Sequence, residues 1–395
     1  MESDSNPLSA FADILPGTSP KGQDINSLGL GLPFFQGAKE FGALNPTAER
    51  FTERPVRTAL KGDILVSVRA PVGRINIADS DCAIGRGVMA VRPKEGDHAD
   101  FLFYVLRGME GKWGTHGTTG SVFESLSTAG LKELPVPVIK ASKIVGAILA
   151  SLDEKIRLNT EMSKTLEAIA QTIFKSWFID FDPVHAKMRG EKPEGMDDAT
   201  AALFPDSFDE SELGMIPNGW DVTKVGNHFS FSYGKALKSE NRQPGQVMVF
   251  GSNGIVGTHN EALLDDPSIV IGRKGTVGTV TVTLNPSWPI DTTFFVQTPN
   301  ERDIFFAYLV LRGLGMERMN SDTGVPGLNR RLAHDIRFVF PSREVIDAFT
   351  GAICSHFELI SEFSSQSTML VTIRDALLPR LISGKLEIPD EMLAS

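Results

Sequence analysis

Along residues 145–173 a stripe of positions steps alternately by three and four: Val145, Ile148, Leu152, Lys155, Asn159, Met162, Leu166, Ile169 and Ile173. The same rhythm returns at Ile346, Phe349, Ile353, His356, Ile360, Phe363, Ser367 and Leu370. Steps of three and four stay on one side of a helix, so both stretches are predicted to be long helices with a coiled-coil seam. At 1.5 Å per residue, about 33 residues run roughly 50 Å. Upstream of each helix the pattern changes to short β-branched and aromatic runs. These predict strands at 64–68, 74–77 and 88–91, and again at 269–271, 279–283 and 294–297. Short helices are predicted at 100–109 and 303–314.

The two sets are copies of one another. Ile64-Leu-Val-Ser-Val-Arg-Ala-Pro-Val-Gly73 aligns with Ile269-Val-Ile-Gly-Arg-Lys-Gly-Thr-Val-Gly278 at an offset of 205, and Val105-Leu-Arg-Gly108 with Val310-Leu-Arg-Gly313 at the same offset. Across 64–109 and 269–314 there are nine identities in 46 gapless positions. Thr119-Gly120 then matches Thr323-Gly324, and each copy passes through a Val/Pro-rich strand into its long helix. A repeat of this kind is one unit used twice. Paired with each other, the helices would run antiparallel, with the intervening block folded back. The expected class is α+β: two β-rich blocks separated by two long helices that form an antiparallel coiled coil.

Between the copies, residues 179–215 hold ten acids against three bases, together with several prolines and glycines, and read as a solvated linker. Residues 341–395 add eight acids against four bases. The net charge of −10 therefore resides in these two segments, whereas 6–135 balances at 14 against 14 and 216–340 at 12 bases against 11 acids. Such a distribution does not exclude a polyanionic partner for the blocks. At 395 residues the chain exceeds one ordinary core. It has no apolar run long enough to span a bilayer and no recognisable secretory leader, so a cytoplasmic protein without membrane contact is expected. Two cysteines, Cys82 and Cys354, leave no room for a disulfide scaffold or a cysteine-rich zinc site.

Catalytic motifs are sparse. Asn285-Pro-Ser-Trp288 resembles the Asn-Pro-Pro-aromatic motif of adenine methyltransferases but lacks the second proline, and no glycine-rich cofactor strand precedes it. A turn is the better reading. Gly272-Arg-Lys-Gly-Thr-Val-Gly278 is not a phosphate-binding P-loop, since no Lys-Ser/Thr pair follows at the required spacing. It reads either as a turn needing positive φ or as a loop carrying Arg273 and Lys274 to a phosphate or base edge. Arg69 of the first copy aligns with Lys274. The histidines show no metal-ligand spacing, and no metal is expected. Arg330-Arg331 is read as a basic pair on a loop, and the equivalent loop of the first copy, Gly117-Thr-Thr-Gly-Ser121, offers hydroxyls. Guanidinium groups read guanine bidentately, while hydroxyls discriminate less, so homologous loops of different chemistry suit two different sequence readings.

Four segments carry a family resemblance. They are Gly62-Asp-Ile-Leu-Val through Val-Gly73; Leu152-Asp-Glu-Lys-Ile156 with Leu166-x2-Ile-Ala-Gln-Thr-Ile-Phe-Lys-Ser-Trp-Phe178; Phe250-Gly-Ser-Asn-Gly-Ile-Val-Gly257; and Arg374-Asp-x-Leu-Leu-Pro-Arg-Leu-Ile-Ser-Gly-Lys385. With them the chain resembles the DNA-specificity subunit of type I restriction–modification systems over nearly its whole length. The resemblance implies target-recognition domains at 1–140 and 216–341, conserved helical spacers at 141–178 and 342–385, an acidic linker at 179–215 and a tail at 386–395. It implies that each domain reads half of a bipartite site in double-stranded DNA, while the helices set the gap and dock two modification (methyltransferase) subunits. Restriction (translocase-nuclease) subunits complete the assembly. Catalysis, S-adenosylmethionine and ATP with magnesium belong to those partners, so this chain is expected to be non-catalytic and without a cofactor of its own.

Loop position and chemistry nominate Arg69, Arg86, Lys235, Arg273, Lys274, Arg330 and Arg331 as DNA contacts, with Thr118, Thr119 and Ser121 as polar readers. The helix interface is assigned to Ile148, Leu152, Leu166, Ile169, Ile173, Phe349, Ile353, Ile360, Phe363 and Leu370. Pro217-Asn-Gly-Trp220-Asp-Val leads into the second domain, but the first copy is recognisable only from about Leu8, so its opening strand is expected to be missing or replaced. The alternative from another class is a scaffold that recruits helical partners through its paired helices without touching DNA.

Overall fold

An apolar strand buried on both faces needs a covering layer on each side, and both blocks meet that need alike. The computed structural model describes residues 4–95, 98–111, 126–298, 300–319, 327–386 and 388–389. It divides into two compact units, Met1–Leu158 with Gln366–Ser395, and Asn159–Ser365.

In the first unit the chain runs through β1 (Ser5–Pro7), α1 (Leu8–Phe11), β2 (Ala12–Pro16), β3 (Ile25–Asn26), β4 (Leu32–Phe35), β5 (Phe51–Thr52) and β6 (Thr58–Ala59). It continues through β7 (Ile64–Ser67), β8 (Ile75–Ile77), β9 (Cys82–Ile84), β10 (Val88–Pro93), α2 (Ala99–Arg107), α3 (Thr128–Lys132), β11 (Pro135–Pro137) and the long helix α4 (Ser142–Phe178). One sheet has the order β2-β10-β7-β8, a second β3-β5-β4-β9-β6, and β1 pairs with β11. Alternation assigns the faces of central β7. Ile64 and Val66 join Met89, Val91 and the apolar side of α2, while Leu65 and its neighbour Ala90 join Phe35, Cys82 and Ile84 of the second sheet.

The second unit repeats this plan. Its elements are α5 (Asp182–Met188), α6 (Asp198–Ala202), β12 (Phe208–Ser211), β13 (Gly214–Pro217), β14 (Asp221–Lys224), α7 (Val225–His228), β15 (Ser232–Tyr233), β16 (Val247–Gly251) and β17 (Gly254–His259). Then come β18 (Ser268–Gly272), β19 (Val280–Thr283), β20 (Ser287–Pro289), β21 (Thr293–Val296), α8 (Ile304–Gly313), α9 (Arg330–Asp335), β22 (Arg337–Phe340) and the second long helix α10 (Arg343–Ile382). The order β15-β21-β18-β19 answers β2-β10-β7-β8, β17-β16-β20 answers β5-β4-β9, and β14-β22 answers β1-β11. The first block therefore does possess an opening strand: Asn6 pairs with Val136 as Val222 pairs with Val339. Its sequence hides it because a three-residue edge strand of Ser, Asn and Pro, all exposed, carries no apolar signal.

Segment 179–215, expected to be a solvated linker, is folded. Val184 and Phe204 are buried in the same core as Trp177, Phe178 and Trp220, and β12 and β13 form a hairpin. Its acids face outward on α5 and α6, while the few apolar residues spaced among them pack inward.

Within each unit, part of α4 lies against part of α10 in antiparallel sense. In the first, Val145 and Leu149 share a core with Leu381, and Asp153 meets Arg374. In the second, Asn159 Nδ2 donates to the Phe363 carbonyl at 3.5 Å, and Phe174 and Phe178 pack on Phe349 with centroids 5.8 and 4.9 Å apart. The α4 seam differs from the expected one. The row of Val145, Leu152, Asn159, Leu166 and Ile173 faces inward, but its companion row lies four residues on, at Leu149, Ile156, Ser163, Ala170 and Trp177, rather than three. Ile169 is consequently 42% exposed while Ala170 is fully buried, and Met162 is exposed too; Ile148 is half-buried. Apolar residues flank the true seam on both sides, and small Ala170 and polar Ser163 weaken its signal. On α10, Phe349 and Ile353 are buried and Ile360, Phe363 and Leu370 half-buried.

Candidate nucleic-acid interface

In the second unit the ends of several strands converge on one rim. Strand β18 leaves the sheet at Gly272 into a turn closed by Gly272 N–H to Thr279 O and Gly278 N–H to Gly272 O, both 2.8 Å. Gly275 and Gly278 take φ of +82° and +79°, so the glycine spacing serves the turn itself. The turn presents Arg273 and Lys274. Arg273 is half-buried: its guanidinium lies 5.1 Å from the Tyr233 ring centroid and 5.7 Å from that of Phe294, and Nη2 donates to Asp291 O at 2.7 Å. Arg330 also lies over Tyr233, at 5.2 Å. Lys235 Nζ sits 5.6 Å from the Trp288 ring, whose Nε1 donates to Lys235 O at 2.9 Å. Two of the nominated cations, Arg273 and Arg330, are thus brought together over Tyr233, which is itself 52% exposed, while Lys235 lies against Trp288. Cation–π contacts of this kind hold a guanidinium in place without neutralising it.

Arg330 and Arg331 open helix α9 rather than lying on a loop, because the Asn329 side chain caps that helix by accepting from Arg331 N–H and Leu332 N–H at 2.9 and 3.3 Å. Behind them His334 Nε2 accepts from the Phe231 backbone N–H at 3.1 Å. Burial, then the nearby Arg330 charge, hold that imidazole below its ordinary pKa, with Asp335 opposing. Trp288 is buried in β20, and Asn285 O accepts the Thr283 hydroxyl, so Asn285-Pro-Ser-Trp288 is a turn entering a strand.

In the first unit Arg69 occupies the turn that matches Lys274, closed by the same pair of bonds: Ser67 N–H to Arg74 O and Gly73 N–H to Ser67 O. Arg86 is exposed on the connection from β9 to β10, its N–H 3.3 Å from Ser19 Oγ. Thr118, Thr119 and Ser121 lie outside the described residues. Electrostatically the nominated cations share a property. Arg69, Arg86, Lys235, Arg273, Lys274, Arg330 and Arg331 form no ion pair among the described residues. Other arginines are matched, as in Arg50–Glu40 at 2.6 Å, Arg92–Asp63 at 2.7 Å and Arg343–Asp303 at 2.6 Å.

A family model described as the type I restriction modification DNA specificity domain matches residues 53–168. The specificity subunit of the type I restriction enzyme HindI from Haemophilus influenzae is 27% identical over 401 residues, covering 82% of this chain and 87% of that protein. The MjaIX specificity subunit from Methanocaldococcus jannaschii is 26% identical, covering 88% and 83%. A crystal structure of the type I system S subunit from M. genitalium shares the fold, with a TM-score of 0.59, 19% identity and coverage of 96% and 95%. Over most of its length the chain is similar to type I specificity subunits.

Polar clamps tie each β block to α4, buried in the first unit and half-exposed in the second. In the first unit Asp153 of α4 accepts from Tyr104 Oη at 2.7 Å and Arg374 Nη1 at 2.5 Å, with Arg107 Nη1 at 3.5 Å. In the second, Glu167 of α4 accepts from Tyr308 Oη at 2.6 Å and from Arg312. Arg107 and Arg312 are repeat equivalents, from the Leu-Arg-Gly ending of each copy. Burial, and then the carboxylate partner, raise both tyrosine pKa values, so the phenols stay protonated donors. Sequence reading singled out neither carboxylate, since an acid at a seam position is indistinguishable from one on a solvated face. Among the described residues no helix is long and apolar enough to cross a membrane, and no group of acidic, histidine or cysteine side chains could hold a metal ion.

Proposed function

We propose that each unit reads one half of a bipartite site in double-stranded DNA through its rim of unpaired cations. On this reading the paired helices set the gap between the halves. Two modification subunits dock along them, restriction subunits join the assembly, and catalysis with S-adenosylmethionine and ATP takes place on those partners, not on this chain. What carries the reading is that Arg69, Arg86, Lys235, Arg273 and Lys274 lie at strand ends of the duplicated sheets, and Arg330 and Arg331 open α9, with no ion pair among the described residues. Phosphates supply the missing counter-charge, and base edges supply the sequence preference. Exposed apolar residues on the helices, Met162, Ile169 and Leu359 in one unit and Met369 and Ile373 in the other, are suited to helical partners.

The test is binding of duplex DNA by the full chain, alone and with its modification subunit, across a salt series. The chain alone is expected to bind weakly at physiological salt, because its near-neutral blocks gain little non-specific attraction. With the partner, a bipartite sequence should be selected, and replacing an exposed phosphate-contacting lysine such as Lys274 by Ala should lower the log–log salt slope by about 1. A complex that selects no DNA sequence would favour the non-DNA scaffold instead.

A further inference from the structure

The unequal chemistry of the two rims has a positional basis that the alignment of conserved strands conceals. Backbone hydrogen bonds align the two copies more completely than side chains do. Val68 N–H bonds Gly87 O as Arg273 N–H bonds Thr292 O, both at 2.9 Å, and Gly85 N–H bonds Phe35 O as Ile290 N–H bonds Phe250 O. Next to these, Thr18 N–H donates to Ile84 O at 2.9 Å where Lys235 N–H donates to Pro289 O at 3.0 Å. The preceding residues, Gly17 and Gly234, are each pressed against the matching carbonyl, Gly85 O or Ile290 O, which an added methyl group would overlap, and their N–H groups donate to the matching Val88 O and Thr293 O. Thr18 is therefore the structural counterpart of Lys235, at an offset of 217 rather than 205.

We infer that Thr18 and Gln36 are specificity-determining residues of the first unit, holding the rim positions that Lys235 and the Gly251–Ser252 corner hold in the second. Both are exposed and polar, and the Thr18 hydroxyl has no hydrogen-bond partner among the described residues. Gln36 Oε1 accepts from Arg50 Nη1 at 3.0 Å, which fixes the amide and leaves its NH2 group to donate. The backbone ties these residues to the nominated cations. A methyl group on Gly87 would overlap Gln36 O, Gly87 O accepts from the residue before Arg69, and Arg86 N–H lies at Ser19 Oγ. The first rim thus offers a hydroxyl, an amide and two guanidiniums, while the second offers the ammoniums of Lys235 and Lys274 and two guanidiniums over an exposed phenol. A lysine at a base edge favours guanine O6 and N7, whereas a threonine does not impose that choice.

This inference rests on the DNA reading above, and one experiment separates the two. The full chain, assembled with its modification subunits, is used to select from duplexes randomised in both half-sites. The parent chain, Thr18→Lys, Gln36→Ala and the reciprocal Lys235→Thr are compared. Thr18→Lys and Gln36→Ala should each change base preference in one half only, by about 5- to 150-fold at the affected position, and Thr18→Lys should move it toward guanine. Lys235→Thr should change the other half only. The unaffected half reports that each variant is folded and assembled. If both halves keep the parental preference in Thr18→Lys and Gln36→Ala, the assignment is overturned. Loss of both halves in either would also overturn it, by making that residue structural. If the parent chain itself selects no bipartite sequence, the DNA reading fails first.

Discussion

Removing the carboxylate of Asp153 is the most direct challenge to the idea that the first block is locked to α4 by a buried polar clamp. The side chain is 8% exposed and faces two guanidiniums, of Arg374 and Arg107, together with the Tyr104 phenol. Arg374, at 11% side-chain exposure, cannot regain water without moving α10. Arg374 keeps the exposed Asp375 at 2.7 Å, but Asp153→Ala leaves Arg107 without a carboxylate and the buried Tyr104 phenol without its acceptor, a change that costs about 3–5 kcal/mol. For a unit of this size the midpoint of thermal unfolding should fall by about 6–20 °C. The loss is specific to the uncompensated charge, so Asp153→Leu combined with Arg107→Met should be less destabilised than Asp153→Ala alone. Denaturant titration, with hydrogen exchange resolved by peptide, reads both quantities. Protection should drop over 99–107, 142–158 and 370–382, and stay unchanged over 268–313. A cost below about 1 kcal/mol, or strictly additive effects of the two sites, would refute the clamp.

The α4 seam predicts that Ile169→Ala, on the exposed flank, changes stability by under about 1 kcal/mol, while Ala170→Leu overpacks the buried row and costs about 1–3 kcal/mol; the opposite ranking in urea titrations would restore the three-residue companion row. Cys82 is fully buried and its thiol is pushed up to about 12 by burial first and then by Asp63, Asp79 and Asp81, so native-state alkylation near neutral pH should label Cys354 and leave Cys82 unmodified until unfolding. His334 and His228 both have pKa values lowered by burial, so the unfolded chain binds protons more readily. Their contribution is fully present above the unfolded imidazole pKa of about 6.5 and is lost as pH falls below it. Exchange protection of 225–231 should therefore decrease between about pH 7.5 and about pH 5.5, and His334→Gln should reduce that decrease; equal protection at both would count against the neutral, hydrogen-bonded His334.

How much of this was legible in the sequence depended on whether a residue's neighbours in space were also its neighbours in pattern. The central strands announced themselves because β7 and β18 are buried on both faces and must be apolar throughout. The long helices were equally plain, yet the seam of α4 was misplaced by one residue, since three- and four-step fits both collect apolar side chains and only packing against α10 separates them. Strand β1 and the folded segment 179–215 were missed for a common reason. Their structure comes from tertiary contacts, with Pro135–Pro137 in one case and with the flanking Trp177, Phe178 and Trp220 in the other, not from local periodicity. The basic readers of the second unit were found by loop chemistry, but their arrangement around Tyr233 was not, because nothing along the chain links β15 to α9.

The partial visibility of the two rims follows from what holds them. Rim residues are fixed through backbone amides and glycine close approaches, which constrain φ, ψ and space but leave the neighbouring side chain free to vary. From Phe35 to Ile64 the first copy takes 29 positions, while from Phe250 to Ile269 the second takes 19. The extra length lies in surface connections that bear β5 and β6, where added residues cost little closure entropy. Side-chain alignment therefore keeps register across β7, β10 and α2 and loses it ahead of β7, where Thr18 and Gln36 sit. A scaffold that fixes its rim by main-chain bonds can exchange lysine for threonine at one position without disturbing the sheets. Two copies of one fold can then present different chemistry to a duplex, and their differences are to be sought at positions matched by backbone bonding rather than by sequence offset.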